Sequence, residues 1–289
     1  MRIDLHTHSF VSDGTDAPGD VIRAAKAVGL DVVGLTDHDT AAGWPEAQQA
    51  ADEVGITLVS GMEISTKLGS ASVHLLGYLV DPAHPPLVAA LDKILDGRNG
   101  RVPAICARLQ ALGLDVTEEA VRRGAGDAAA TGRPHIADVM VATGAVASRN
   151  EAFAKYLNPG RPGYVQRYAC PLEEAIGLVN EAGGVPVIAH PWGRSAGALD
   201  EEALARLAEI GLRGIEVDHQ EHSPAAREEL RSIARNLDLL ITGSSDHHGT
   251  GKVDHDLGCN TTDPHEYERI LSLATSAPST ACVAAPPKE

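Results

Sequence analysis

One unit recurs along this sequence: a helical stretch, a Gly or Asn at its end, a short apolar run of strand length, and ionisable residues where that run stops. It occurs at residues 21–28 with Gly29 and 31–35, ending in Asp37 and His38, and at 47–54 with Gly55 and 56–59, ending in Glu63. It returns at 175–182 with Gly183 and 185–189, ending in His190, and at 204–210 with Gly211 and 214–217, ending in Asp218 and His219. The last instance is 227–236 followed by 237–242, ending in Asp246, His247 and His248. A Gly just past a helix takes the left-handed conformation that stops it. Helices alternating with buried strands imply parallel pairing through crossovers. An opening strand, 3–5, ends in His6 and obeys the same rule. The pattern predicts an α/β fold, a (β/α) barrel whose site is assembled at the C-terminal ends of its strands. A doubly wound open sheet, which also binds ligands beyond its strand ends, is the alternative.

The chain has 289 residues, 43% hydrophobic and 22% charged, enough for one large core with an inserted lobe. Between residue 85 and about 163 the strand signal gives way to helical stretches at 87–95, 102–112, 117–123, 134–142 and 151–157. The expected organisation is therefore a barrel formed by 1–84 and 164–276, a helical lobe at 85–163, and a weakly ordered tail at 277–289. Within the lobe, the Gly- and Ala-rich stretch 124–132 reads as flexible. Apolar runs fall far short of the ~18 to 20 residues that span a bilayer. The start, Met1-Arg2-Ile3-Asp4, has no signal-peptide pattern, so the cytoplasm is the expected compartment. Cys106, Cys170, Cys259 and Cys282 contain no C-x-x-C pair, which fits buried or half-buried thiols rather than a disulfide framework or a thiolate zinc site. The net charge of -16, from 40 acidic against 24 basic residues, argues against a broad surface for coating nucleic acid. It permits a phosphate substrate if some of the acids hold cations.

The 13 histidines are the unusual part of the composition. His6-Thr7-His8 puts two imidazoles on one side of an extended segment, where both can reach one metal. Asp13, His38, Glu63, His74, His190, Asp246 and His248 follow on or just after strand ends. Nine N/O donors exceed the needs of one tetrahedral zinc. They suit two or three divalent cations, manganese first with iron or zinc as alternatives, sharing Glu63 as a bridging carboxylate. Asp37 and Asp39 are expected to orient imidazoles rather than to bind metal. His84, His255 and His265 read as surface loop residues, and Trp44 and Trp192 as lining of the mouth or the core.

The blocks Asp4-Leu5-His6-Thr7-His8, Ser12-Asp13-Gly14, Gly34-Leu35-Thr36-Asp37-His38-Asp39, Gly61-Met62-Glu63, His74-Leu75-Leu76-Gly77, Ala189-His190-Pro191 and Gly243-Ser244-Ser245-Asp246-His247-His248 span nearly the whole chain. In them the sequence resembles the PHP family, the polymerase and histidinol phosphatase superfamily of metal-dependent phosphoesterases. The resemblance implies a distorted (β/α)7 barrel with an inserted helical lobe and a trinuclear site. In that site His6, His8, Glu63 and Asp246 would hold one metal, Glu63, His74 and His190 a second, and Asp13, His38 and His248 a third. His247 falls at the variable position of the D-x-H motif.

Residues 131–137, 152–157 and 162–165 of the lobe look like the stretch found in PHP enzymes that dephosphorylate nucleoside 3',5'-bisphosphates or trim short oligonucleotides. Arg133, just before Pro134 at a helix start, is a candidate to hold a phosphate with the local N–H groups, and His135 joins it as a substrate-binding candidate. The segment 216–224 also resembles a family segment. His219 and His222 are candidates to protonate the leaving oxygen or orient substrate, or alternatively to cap the following helix. Asp218 stands where relatives often carry an aromatic residue. With two Trp, five Tyr and two Phe in all, stacking platforms are few, which favours short phosphorylated substrates, nucleotides or short oligonucleotides. The expected activity is phosphoester hydrolysis by a metal-bridged hydroxide. The alternatives are a histidinol-phosphate phosphatase and, in another class, an inactive metal-stabilised interaction module.

Overall fold

A computed structural model describes residues 1–126, 128–193 and 196–275. The expected tail, with Cys282, and Asp127 of the Gly- and Ala-rich stretch lie outside the described residues. Strands β1 (Ile3–Thr7), β2 (Val32–Leu35), β3 (Thr57–Leu68), β4 (Ala71–Tyr78), β5 (Cys170–Pro171), β6 (Val185–Ala189), β7 (Gly214–Asp218) and β8 (Leu240–Gly243) form one sheet. Its order is β1-β2-β3-β4-β6-β7-β8, with the two-residue β5 beside β3. A parallel bridge between Thr7 and His247 brings the last strand round to the first, so the seven-strand path is a nearly closed barrel. Helices α1 (Pro18–Ala27) and α2 (Trp44–Val54) cover its first half. Between β4 and β5 run α3 (Pro85–Gly100), α4 (Val102–Ala111), α5 (Glu118–Ala125), α6 (Arg133–Ala142) and α7 (Arg149–Ala152). The second half is covered by α8 (Leu172–Glu181), α9 (Glu201–Glu209), α10 (Pro224–Asn236) and α11 (Pro264–Thr275).

Every residue of β1, β2 and β6 is buried, as strands must be when the barrel interior lies on one face and helices on the other. The helices meet that demand with one apolar stripe each. In α10 the buried stripe is Leu230, Ile233 and Ala234, and Ser223 caps its start by accepting from the Ala226 N–H. Gly55 ends α2 with φ +68, as the helix-stop pattern requires. After α10 the left-handed residue is instead Asp238, at φ +52, a conformation its short polar side chain tolerates.

Two features depart from the repeating pattern. β4 runs antiparallel to both β3 and β6, because it is reached by a tight turn through Gly69 (φ +58), too short for a parallel crossover. Its opening residues therefore lie at the barrel end where neighbouring strands finish, and His74 pairs with Ala189, the last residue of β6. The lobe also begins later than its helices suggest. Leu87, Leu91 and Ile94 of α3 pack into the barrel core, whereas Val102, Ile105, Leu109, Val121, Ile136 and Met140 belong to a separate cluster. The helix expected at 151–157 is α7 followed by a π-helical turn, Phe153–Leu157.

The lobe is pinned to the barrel by specific bonds. The Ala129 N–H donates to Val11 O at 3.0 Å, and Asn99 accepts from the Thr131 N–H at 3.0 Å. Arg149 donates to Asp13 O at 3.1 Å and holds Asp138 of α6 with its other terminal nitrogen at 2.7 Å. His255 is a correction to the surface reading: it is 7% exposed, its Nδ1 2.6 Å from Ser245 O. Trp44 and Trp192 both pack against the core and donate to Gly61 O and Leu199 O. Cys106 and Cys170 are buried thiols, but Cys259 is exposed. Among the described residues no helix is long and apolar enough to cross a membrane.

Candidate metal centre

The nine sequence-selected donors converge at one end of the barrel. The His6 Nδ1 faces Glu216 Oε1 at 3.2 Å, and with the proton there its Nε2 lone pair points inward. His8 Nε2 lies 3.0 Å from that atom. Both nitrogens approach Glu63 Oε2, at 3.4 and 3.2 Å, and both stand 3.5 Å from Asp246 Oδ1. Two imidazole nitrogens and two carboxylate oxygens aimed at one point form a donor set that fits a divalent cation.

Two further groupings share the same carboxylate or adjoin it. Glu63 Oε1 is 2.6 Å from His74 Nδ1 and 3.1 Å from His190 Nε2. Asp13 lies 3.6 Å from His38 Nε2 and 3.3 Å from His248 Nε2, and His38 Nδ1 is 3.1 Å from Glu63 Oε2. His248, rather than His247, turns inward; the latter faces His255 O and Asp16.

Burial alone would raise the carboxyl pKa values here, and the neighbours reverse it. His38, His74 and His6 hold Glu63 well below its usual range, His38 and His248 do so for Asp13, and Lys252, His6 and His248 for Asp246. Burial would likewise lower the His6 pKa, but Asp246, Glu216 and Glu63 raise it well above the usual value. For His38 burial wins and the pKa falls to about 3, which leaves the neutral imidazole that binds metal. Three residues here carry backbone strain: His190 at φ +29, Asp246 at +52 and Asp39 at +59. Strained φ values of this kind persist where surrounding contacts over-determine them.

Glu216 is the supporting residue that the sequence reading missed. Wholly buried in β7, it faces His6, accepts from the His190 N–H at 2.9 Å and from the Ser244 hydroxyl, and so orders two donors from a third strand. The available signal was a carboxylate inside an otherwise apolar strand, Gly214-Ile215-Glu216-Val217. Asp37 and Asp39 act differently from the expectation that they orient imidazoles. Asp37 accepts from the Ser9 N–H and from the Ser9 and Ser12 hydroxyls, which shapes the loop carrying Asp13. Asp39 accepts from the Ser65 N–H and hydroxyl and pairs with Arg98 at 3.0 Å.

The remaining candidates divide. His219 Nδ1 accepts from the Glu221 N–H at 3.1 Å, so its protonated Nε2 faces Asp246 Oδ2 at 3.2 Å. His222 donates from Nδ1 to Val217 O at 2.9 Å and accepts from the Trp192 N–H at 3.2 Å. Both nitrogens are engaged by the backbone, so it braces the end of β7; the helix cap is Ser223. Arg133 donates to Leu157 O at 3.0 Å, its guanidinium carbon 5.4 and 5.8 Å from the Phe153 and Tyr164 ring centres. His135 is buried, and its Nδ1 accepts from the Gly132 N–H at 3.1 Å, so that amide serves the helix start rather than a ligand. Its Nε2–H is the donor left over.

Residues 4–115 match the PHP domain. The chain is 37% identical over 258 residues to the 3',5'-nucleoside bisphosphate phosphatase of Chromobacterium violaceum, covering 89% of this chain and 90% of that protein. It is 33% identical over 249 residues to the 5'-3' exoribonuclease of Escherichia coli K12, covering 85% and 84%. Among solved structures, a chain described as a metal-dependent phosphoesterase from Bifidobacterium adolescentis superposes with a TM-score of 0.89 at 36% identity, covering 94% of this chain and 96% of that one.

Proposed function

The chain belongs to the PHP family and is a hydrolase of phosphate ester bonds, and on that premise we propose that its substrates are nucleoside 3',5'-bisphosphates or short 5'-phosphorylated oligonucleotides. The observation that carries the reading is the convergence of Glu63, two further carboxylates and six imidazoles at one end of the barrel. That set would hold two to three divalent cations, with His6, His8, Glu63 and Asp246 at one position, Glu63, His74 and His190 at the next, and Asp13, His38 and His248 at the last. A donor set of imidazole and carboxylate without thiolate suits manganese, iron or zinc. When bound, such cations supply a hydroxide nucleophile near neutral pH and offset the charge on the phosphoryl oxygens.

The protein's own groups set the rest. Glu216 keeps the His6 proton on Nδ1, which leaves Nε2 to face the centre. His219, with its proton at Nε2, either steadies Asp246 or delivers that proton to the leaving oxygen. Arg133 holds a phosphate oxygen of the substrate, with the Nε2–H of His135 as a second donor. The cytoplasm, where nucleotides turn over, is the proposed compartment.

Metal analysis of the purified protein, combined with phosphate release from adenosine 3',5'-bisphosphate, histidinol phosphate and a short 5'-phosphorylated RNA, tests the reading. About two to three metal equivalents and preference for the nucleotide substrates are expected. Less than about one equivalent after supplementation would overturn the metal count, and no release from any of the three would favour an inactive module.

A variant separates substrate recognition from the metal centre. Arg133→Ala should lower kcat/KM for the bisphosphate about tenfold to a hundredfold, the worth of a charge-assisted pair. An aryl phosphate, which has no second phosphate, should lose much less. Lysine should recover part of the loss, since it restores charge without the two-pronged donor geometry. Should alanine leave the bisphosphate reaction within about twofold of wild type, histidinol phosphate becomes the better substrate class.

A further inference from the structure

A lysine is seated directly on one of the proposed metal ligands. Lys252 Nζ donates to Asp246 Oδ2, which divides the two oxygens of that carboxylate. Oδ1 turns to the imidazoles, 3.5 Å from His6 Nε2 and from His8 Nε2 and 3.4 Å from His248 Nδ1. Oδ2 takes Lys252 and, at 3.2 Å, the Nε2–H of His219. The loop after β8 folds Lys252 back onto a residue six positions earlier. That turn passes through Gly249 at φ +62, where a Cβ would stand 2.0 Å from Thr15 Oγ1, so glycine is required. The ammonium ends at the rim of the centre: the Lys252 side chain is 24% exposed, and Glu221 Oε1 lies 4.0 Å from its Nζ.

An ammonium in this place competes with a metal. A carboxylate shared between a divalent cation and a lysine holds two positive groups that repel each other, and enclosure strengthens that repulsion. Without a cation the lysine has the opposite effect. Glu63, Glu216 and Asp246 crowd His6 at 3.2 to 3.5 Å, and burial opposes the ionisation of Asp246. Lys252 is foremost among the neighbours that offset that burial. Lysine also suits a transient partner, being a compact charge on a flexible stem rather than a fixed fork. Glu221 is a second carboxylate within a short swing of that stem.

We propose that Lys252 is a resident counter-charge of the metal centre, and that cation uptake between His6, His8, Glu63 and Asp246 is an exchange in which the ammonium leaves Asp246 Oδ2 and turns to Glu221. The proposal rests on the reading of these residues as metal ligands and goes beyond it. Lys252 is a positioning residue: it keeps Asp246 ionised with Oδ1 facing the imidazoles, and it weakens the hold on the cation in return. A chain built this way keeps its donors in order when metal is scarce and takes metal up reversibly.

The test equilibrates the full chain with buffered Mn2+ over a range of free concentrations, in wild type, Lys252→Met and Lys252→Arg. Lys252→Met should bind Mn2+ about tenfold to a hundredfold more tightly, since a competing charge has gone. It should also melt lower than wild type in chelator, so the gap between chelated and Mn2+-loaded melting temperatures widens. Arginine keeps the charge and should bind Mn2+ close to the wild-type affinity. A lysine that merely braced the loop would lower both melting temperatures and leave Mn2+ affinity unchanged or weaker, and that result would overturn the exchange. A second measurement needs no variant. Acetic anhydride labelling of wild type, read by peptide mass, should modify Lys252 several-fold faster with Mn2+ than with chelator; equal or slower labelling would also overturn it. If wild type takes up no Mn2+, the metal reading fails and the exchange with it. If wild type takes up Mn2+ and Lys252→Met binds no tighter, the exchange alone fails.

Discussion

Glu63→Gln is expected to lower kcat about a hundredfold to a thousandfold while leaving the chain folded. The substitution is nearly isosteric, so the packing of β3 is retained. What changes is the sign of one corner: the carboxamide offers an N–H2 where His6, His8, His38, His74 and His190 now meet carboxylate oxygens. Both proposed positions that share Glu63 would lose a ligand at once. Turnover, metal content and melting temperature measured together decide it. A variant with reduced metal but wild-type turnover would show that Glu63 is not the bridge.

Metal removal should be the second large effect. Cations bound only to the folded protein stabilise it by about 4 kcal/mol at a thousandfold excess over Kd, so chelation should abolish turnover and lower the melting temperature by roughly 10 °C. The metal-free protein should then show a particular pH profile. His6 and His190 have raised folded pKa values, so their contribution is complete below the ordinary histidine value near 6.5 and is lost as pH rises through the folded values. Asp13, Glu63, Glu216 and Asp246 have depressed folded values, so theirs is present above the ordinary carboxyl values near 4 and is lost on acidification. His38, His135, His222 and His255 have lowered folded values and cost stability as pH falls below the ordinary histidine value, so the metal-free protein should be most stable near neutrality, about pH 6 to 7. Metal uptake should strengthen above that window, because binding displaces the imidazole protons. Melting curves across pH with and without chelator read both; a metal-free optimum above about pH 8 would contradict the assignment.

Much of the barrel was legible in the sequence because helix stops, buried strands and strand-end histidines repeat together. His6, His8, His38, His190 and Asp246 each follow an apolar run, so locating the strands also locates the donors. β4 broke the rule because a hairpin leaves no helix to announce it, and His74 stood out only as part of a motif. Glu216 was hidden by the opposite circumstance, one acid inside a strand already accounted for by its apolar neighbours. The roles of Asp37, Asp39 and His222 depend on which nearby group claims each lone pair or proton. That contest is decided by residues distant in the chain, such as Arg98 and Trp192, and leaves no local pattern.

Arg149 joins the lobe to the loop that bears Asp13 by gripping Asp138 of α6 on one side and the Asp13 carbonyl on the other. Arg133 opens the same helix, so any displacement of α6 on binding a phosphate would reach the backbone of a proposed metal ligand. The two binding events would then be thermodynamically linked: whatever factor the substrate adds to cation affinity, the cation must return to substrate affinity. Measured with a non-hydrolysable bisphosphate, that factor should shrink in Arg149→Met while the two separate affinities change less. In this view the salt bridge sets how strongly cation and nucleotide occupancy cooperate, and the lobe is a point at which selection could adjust the enzyme's response to scarce metal without altering a single ligand.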